Sequence, residues 1–388
     1  MKSNNNLDSE YKGFEQGPIR PPSEAHSLLI RITRNCPWNR CSFCPVYKAS
    51  KFSVRPVEHV IKDIDTLHKY VTHLLDLAED ARKKGKKEIS TSEINVAPGE
   101  SRAFNAAYYW LSAGMKSIFL QDANSLIIKP PDLIKILVHM KKCFPWTERI
   151  TSYARSHTVA RISDDDLLAI REAGLNRIHI GLESGSDKVL KMVKKGVTKE
   201  THIKAGQKAK KAGFELSEYV MPGLGGVALS KEHALETADA LNQINPDFIR
   251  LRSLTIPQNT GLYDDHRAGR FEKGNDIITA QEILLFIENL DNITSNIVSD
   301  HILNLFEDVE GKLPQDKEKI MNVLRTFLDM PPQEQLNYRI GRRLGIFSRL
   351  SDMNNPQKLE RVDNARISLG INPENADRQI DELTSRMM

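Results

Sequence analysis

The chain has 388 residues, 40% of them hydrophobic and 27% charged, with a net charge of +4 when histidine is neutral. That length can bury a substantial core, the composition is ordinary for a globular protein, and so small a basic excess does not by itself point to nucleic acid. No apolar run approaches the roughly 18 residues of a membrane span, and the polar N-terminus lacks the apolar stretch of a secretory signal, so a cytoplasmic protein with no membrane contact is expected.

Residues 1–26 are polar and rich in Pro, Gly and Asn, and read as an irregular arm. SLLIRITRN follows, a short apolar run with β-branched residues that predicts a strand ending just before Cys36. After the cysteine-containing stretch, Val57, Val60, Ile61, Ile64, Leu67, Val71, Leu74 and Leu75 recur at three- and four-residue spacing and predict one apolar helical face. Pro56 suits its first turn and Gly85 its end. MKSIFLQ, ERITSYA, NRIHIGLE, FELSEYVMPG and PDFIRLRSL then read as strands. PPDLIKILVHMKKC, SDDDLLAIREAG, TKETHIKAGQKAKKAG and SKEHALETADALNQIN read as the helices between them, with Ser163 and Asp166 placed as a capping box.

Strands alternating with helices imply a parallel sheet with right-handed crossovers. Six such units predict an α/β protein with a partial (β/α)6 TIM-like barrel over residues 27–264. From about residue 265 the strand signals stop, and residues 265–388 read as a C-terminal helical segment.

Four cysteines occur in the whole chain. Cys36, Cys41 and Cys44 form a C-x4-C-x2-C set directly after the first strand, and Cys143 stands alone at a helix end. Too few for a disulfide scaffold, the clustered three read as metal ligands, and thiolates so spaced can wrap one iron–sulfur cube. Structural zinc is the competing reading, but it needs four ligands, and His59, the nearest downstream histidine, falls inside a predicted helix. Cys143 reads as a small buried residue, with ligation or redox pairing as its alternative.

The cysteine set and four later segments together resemble the radical S-adenosylmethionine (SAM) superfamily, in the branch with elongator-type, MiaB and NifB-like domains. The family's usual loop is C-x3-C-x2-C with an aromatic residue before the last cysteine; here the first gap is one residue longer and Phe43 holds the aromatic position. QDANSLI stands where the family often has GGEPLL, IHIGLESGSDKVLKMVKKG looks very like its fourth-strand stretch, and YVMPGLGG resembles the segment whose backbone meets adenine. The resemblance covers roughly residues 28–255.

The resemblance implies a [4Fe-4S] cluster on Cys36, Cys41 and Cys44, with SAM on the iron left open. Phe43 would lie near adenine. Asn124 falls at the glutamate that binds the SAM amino group, with Asp122 the other acceptor there. Ser152 and Arg155 sit at the third strand's end, Arg155 suited to the SAM carboxylate. Glu183 and Ser184 would lie near the ribose or methionine end, and Met221 and Gly223 in the adenine-facing segment. The implied reaction is reductive cleavage of SAM to a 5′-deoxyadenosyl radical that abstracts hydrogen from an unidentified substrate. Its electron would come from an external donor such as flavodoxin or ferredoxin.

Other readings stand beside these. Asp122 and Asn124 also suit the capping of a turn. The lysine patches read as solvated helix faces, leaving nucleic acid a secondary option as substrate. Asp300, His301 and Asn304 share one face if their segment is helical, and Asp300 and His301 are then candidates for substrate contact. A non-catalytic iron–sulfur electron-transfer or scaffold protein on the same barrel is the alternative function.

Overall fold

The computed structural model describes residues 10–86 and 94–387. Contacts divide the chain into two units: the first takes residues up to 39, 46–179 and 211–215, and the second takes 40–45, 180–210 and 216–388.

In the first unit the described part of the arm, residues 10–26, is irregular apart from one 3-10 turn, Pro22–Glu24. β1 (Leu28–Arg31) is followed by a short antiparallel pair, β2 (Thr33–Arg34) with β3 (Ser53–Val54). Then come α1 (Val57–Lys83), α2 (Ser101–Ser112), β4 (Ser117–Gln121), α3 (Pro130–Cys143) and β5 (Arg149–Ala154). α2 is a helix beyond those that the alternation predicts. Two short helices, α4 (Ser156–Val159) and α5 (Asp164–Glu172), precede β6 (Arg177–Glu183), whose residues divide between the units after His179. The Ser163 hydroxyl accepts the Asp166 N–H at 3.0 Å, so α5 starts where its cap predicts.

β1 pairs parallel with β4, Leu28 opposite Ile118, and β4 pairs parallel with β5, Ile118 opposite Ile150. The apolar stripe of α1 supplies Ile64, Leu67, Val71 and Leu74, all fully buried. Trp110 on α2 is buried too, its ring 5.1 Å from Phe144 and its indole N–H donating to the Ser117 carbonyl at 2.9 Å. Each such aliphatic side chain taken from water contributes about 1.5–3 kcal/mol.

The second unit holds the rest of β6, α6 (Asp187–Met192), α7 (Lys199–Lys211), β7 (Glu215–Val220), α8 (Gly226–Ile244) and β8 (Phe248–Leu251). α9 (Gly261–Arg267) and α10 (Asp276–Glu288) follow. Glu218 of β7 lies opposite Ile249 of β8 in parallel register. The six expected strands all form, but the strand signal does not end at 265. β9 (Asn296–Val298) adds in parallel beside β8, and β10 (Gly311–Lys312) returns antiparallel to it. Three residues are too few to show a period of two, which is why β9 escapes a reading by pattern.

The C-terminal segment is otherwise helical: α11 (Lys317–Asp329), α12 (Pro332–Arg343), α13 (Pro356–Ser368) and α14 (Ala376–Ser385). Tyr338 of α12 stacks between Phe306 and Phe347 at 5.7 and 6.1 Å. Arg339 and Arg343 both pair with partly buried Asp276, at 2.9 Å each. Burial opposes the Asp276 charge, yet Arg343 and then Arg339 hold its pKa down at about 2. No helix among the described residues is long and apolar enough to cross a membrane.

Candidate functional site

The cofactor residues that the sequence nominates from Asp122 to Gly223 lie in or just after the C-terminal end of a parallel strand, the edge where α/β proteins build their sites, while the clustered cysteines and Phe43 follow the short antiparallel strand β2. In the first unit the chain leaving β2 turns through Asn35 and Asn39, both with positive φ (69° and 45°), on either side of Cys36. Asparagine tolerates that conformation because its short amide bonds locally. Asn35 Nδ2 donates to the Lys51 carbonyl at 2.6 Å and Asn39 Nδ2 to the Tyr47 carbonyl at 2.5 Å. The Asn39 N–H points at Cys36 Sγ, 3.4 Å away.

Asp122, fully buried after β4, anchors this turn. Its Oδ2 accepts from Arg31 Nε and Nη2 at 2.9 and 2.6 Å and from the Asn35 N–H at 2.9 Å. Its Oδ1 is buried with no hydrogen-bond partner among the described residues. Gly17 of the arm lies against that carboxylate, where a Cβ would come within 1.9 Å of Oδ1. The arm is fixed there by Gln121, whose Oε1 accepts the Gly17 N–H at 2.8 Å and whose Nε2 donates to the Ile19 carbonyl at 2.7 Å.

Asn124 is also fully buried, and both ends of its amide are engaged. Oδ1 accepts the Arg155 N–H at 3.0 Å and Nδ2 donates to Thr158 Oγ1 at 2.8 Å, which fixes the turn from β5 into α4. Ser152 is turned to the face of β5 that carries Ile150, its hydroxyl donating to the Tyr153 carbonyl at 3.0 Å. The opposite face carries Tyr153, in a ring trio with Phe119 and His179. The Arg155 guanidinium lies over the Trp38 ring, 5.1 Å from its centroid. Trp38, a residue of the cysteine-containing stretch that the pattern does not single out, is thereby held by a cation–π contact.

In the second unit Cys41 and Cys44 flank Phe43, which sits in an apolar cluster with Val189, Val193, Met221, Leu224, Leu254, Leu262 and Phe271. Two backbone hydrogen bonds tether the segment: Ser42 N–H to the Val193 carbonyl and Leu262 N–H to the Ser42 carbonyl, both 2.9 Å. None of the chain's cysteines is in a disulfide, and Cys36, Cys41 and Cys44 keep partial solvent access.

Glu183 ends β6 with φ +64° and pairs through Oε1 with Lys195 Nζ at 3.0 Å. Lys195 also lies 5.8 Å from the Phe43 ring centroid. Gly181 leaves room for this pair, since a Cβ there would sit 2.3 Å from Glu183 Oε1. Glu218 is fully buried on β7, and neither of its carboxylate oxygens has a hydrogen-bond partner among the described residues. Burial pushes its pKa well up, with Glu183 adding to the rise and Lys195 opposing it. Burial therefore favours the protonated, neutral form of Glu218.

Ser184 is buried in a network. It accepts the Ser186 N–H at 3.0 Å and faces His233 Nδ1 at 2.8 Å, while His233 Nε2 lies 3.1 Å from the Met221 carbonyl. A carbonyl can only accept, so Nε2 carries a proton. Glu282 completes the support of the Met221–Gly223 turn: its Oε1 accepts the Gly223 N–H at 2.6 Å and its Oε2 the Ser230 hydroxyl at 2.5 Å. Gly223 has φ +87°, which a side chain would strain. A cavity of about 110 Å³ opens beside this turn, its wall including Ser253, Thr255, Thr279 and Arg343.

Asp300, His301 and Asn304 do not share a helical face, because the segment after β9 is irregular. Its polar groups instead stitch it to β8. Asp300 pairs with Arg250 at 2.8 Å, and Asn304 accepts the Ser253 N–H and donates to the Leu251 carbonyl, at 2.9 and 2.8 Å. His301 Nδ1 accepts the Leu303 N–H at 3.3 Å. Burial, then Arg252, lowers the His301 pKa to about 4, so the ring is neutral at pH 7.

Sequence reasoning missed Trp38, Lys195, Glu218, His233 and Glu282. Only Lys195 carried a signal, since it stands in the family-like stretch KMVKKG; the others lie in predicted strands, helices or loops as ordinary polar or aromatic residues.

The fold and the loop define a mostly parallel α/β protein with three thiols following its first strand. The Radical SAM superfamily model matches residues 30–239, and the chain belongs to that superfamily. It is 26% identical over 111 residues to a tRNA uridine(34) acetyltransferase of Methanocaldococcus infernus, covering 28% of this chain and 21% of that protein. It is 23% identical over 240 residues to the heme chaperone HemW of Buchnera aphidicola, covering 61% and 52%. Among solved structures, coproporphyrinogen III oxidase (HemN) from Escherichia coli aligns over 68% of this chain and 52% of its own, with 14% identity and a TM-score of 0.44. The chain thus spans about a fifth to about a half of these proteins' lengths. Mostly parallel strands alternating with helices, followed by a helical C-terminal segment, are the fold that the resemblance implies.

Proposed function

We propose that this chain is a radical SAM enzyme, with Cys36, Cys41 and Cys44 as the ligands of a [4Fe-4S] cluster. The observation that carries the reading is the thiol loop itself: three partly accessible cysteines, none in a disulfide, at the family's position, with a backbone N–H on one and an apolar sleeve around the other two. That donor set suits iron–sulfur chemistry. Three protein thiolates leave one iron without a protein ligand, the opening that the amino and carboxylate groups of SAM would use. Held by Cys36, Cys41 and Cys44 and reduced, such a cluster would supply one-electron chemistry, the reductive cleavage of a C–S bond of SAM.

The chain's own groups would position and shield. Phe43 and its cluster exclude water from the side of Cys41 and Cys44. Glu183, held by Lys195, offers a carboxylate to a hydroxyl or ammonium group of SAM. The Met221–Gly223 backbone, fixed by His233 and Glu282, offers main-chain groups to adenine. Ser184 acts through His233 rather than by direct contact, as a positioning residue. Asp122, Asn124 and Arg155 orient the strand ends of the first unit, and Arg155 is the group there suited to a carboxylate. Ser152 is bonded internally and supports β5. With one cysteine beyond the loop, no second four-cysteine cluster can form within this chain, so the electron would come from outside, from a flavodoxin- or ferredoxin-like donor.

The test is anaerobic reconstitution with iron and sulfide, reduction with dithionite, addition of SAM and chromatography for 5′-deoxyadenosine. The nucleoside should form in the wild type and be absent from Cys41→Ala. A protein that retains full iron after Cys41→Ala, or that neither holds iron nor binds SAM, overturns the reading.

A further inference from the structure

Away from the thiol loop, α1 and α3 of the first unit bring three different donors together. Asp65 stands on α1, and His139 and Cys143 stand one helical turn apart on α3. One oxygen of Asp65, one nitrogen of His139 and the Cys143 sulfur all lie within 4.8 Å of one another. We propose that Asp65, His139 and Cys143 form a zinc-type metal site that bridges α1 to α3, with its fourth position open to water.

The arrangement separates this from a catalytic relay. In an Asp–His–Cys relay the carboxylate and the sulfur take opposite ring nitrogens, so that a proton can pass through the ring. Here both meet the same atom: His139 Nε2 is 2.7 Å from Asp65 Oδ1 and 3.6 Å from Cys143 Sγ. Three donors facing one point is what a cation requires. Ideal tetrahedral zinc, with bonds of about 2.3 Å to sulfur and about 2.05 Å to nitrogen, places S and N about 3.6 Å apart, the separation seen. The N···O separation should be about 3.4 Å, so the carboxylate must withdraw by about 0.7 Å. Asp65 is free to do so, since its side chain is 57% exposed while that of His139 is 27% exposed.

The chemistry selects the ion. A thiolate, an imidazole and a carboxylate suit a borderline-soft divalent metal and disfavour magnesium or calcium, which want oxygen alone. The groove between the two helices, lined by Ile61, Lys62, Lys135, Val138, His139 and Lys142, opens beside the site. Such an ion would tie α3 to α1 in the native state alone and so raise its stability.

The test uses the full chain with its iron–sulfur cluster reconstituted, so that the loop cysteines are occupied. Zinc chloride is added, unbound metal is removed by gel filtration, and zinc per chain is measured by mass spectrometry. About one zinc should remain in the wild type, and none in Cys143→Ser or His139→Ala at unchanged iron content. Cobalt(II) should give a thiolate charge-transfer band, read as a difference spectrum, that Cys143→Ser abolishes. Asp65→Asn, a change at an exposed position that leaves the fold intact by circular dichroism, should weaken zinc retention. Equal zinc in the wild type and all three variants, or none in the wild type, overturns the site. Iron content serves here only to show that the loop thiols are equally occupied in every variant, and 5′-deoxyadenosine formation does not enter the outcomes, so failure here is distinct from failure of the proposed function.

Discussion

Asp122 after β4 and Glu218 within β7 are both fully buried carboxylates, yet their surroundings differ in kind. Asp122 is compensated: a guanidinium and a backbone N–H converge on one of its oxygens, and the carboxylate serves as a fixed anion that bends the chain toward Cys36. Among the described residues Glu218 has no hydrogen-bond donor on either oxygen, and burial pushes its pKa well up, toward the neutral form. A buried acid can thus be a charged brace or an uncharged polar reserve, and partners rather than depth decide which.

The largest expected effect comes from breaking the brace. Asp122→Ala removes the nearer carboxylate partner of Arg31, leaving Glu15 at 3.6 Å, and should cost about 3 kcal/mol in urea unfolding, the low end for removing one partner of a buried pair. It should also lower the iron retained after reconstitution. A loss below 1 kcal/mol would mean that Asp122 is no better than a surface charge.

A partly buried base in the second unit, His301, extends the comparison to pH. The folded pKa of His301 is about 4 against an ordinary 6.5. The unfolded chain therefore binds a proton in that window while the native state does not, and stability falls as pH drops from 6.5 toward 4. The loss is at most about 3 kcal/mol, and less after screening by solvent at this partly accessible ring. His301→Asn should flatten that part of the stability curve, and an unchanged curve would remove His301 as its source.

Gly17→Ala sharpens the Asp122 side, because the added Cβ would overlap Oδ1 and must push the arm away. About 1–3 kcal/mol should be lost, with faster proteolysis of the arm. Wild-type stability and cleavage would show that the arm yields at no cost.

Glu218→Gln should change least. Glutamine mimics the protonated acid, so stability near pH 4 should match the wild type within about 1 kcal/mol. Because the folded pKa of Glu218 is raised, its contribution is present below 4.5 and is lost as pH climbs toward the folded value. The variant should therefore gain on the wild type as pH rises. A variant that is instead destabilised at pH 7 would show Glu218 to be ionised and paired.

Much of this was legible in order of residues alone. The β-branched runs gave six strands, the stripe of α1 its buried face, and Ser163 the start of α5. The cysteine spacing and the GLESGS stretch pointed to the superfamily. What was hidden depended on through-space partners. Asp300, His301 and Asn304 fit a helical face on spacing, yet the chain there spends its polar groups on the end of β8. Glu218 alternates in FELSEYV as a solvent-facing residue would, and only packing reveals that it is enclosed. Asp122 and Asn124 suited either a ligand or a turn by type, and their bonded partners fall far away in sequence.

The two backbone bonds at Ser42 carry one more consequence. They make the Cys41–Cys44 segment a rider on α6 and α9, so neither its peptide plane nor its sulfurs can swing without opening both helices' contacts together. In deuterium oxide the Ser42 and Leu262 amides should therefore exchange as one cooperative pair, slowly and with matching protection. Their common exchange rate would report, one peptide at a time, how firmly the protein grips that end of its thiol loop before any metal is added.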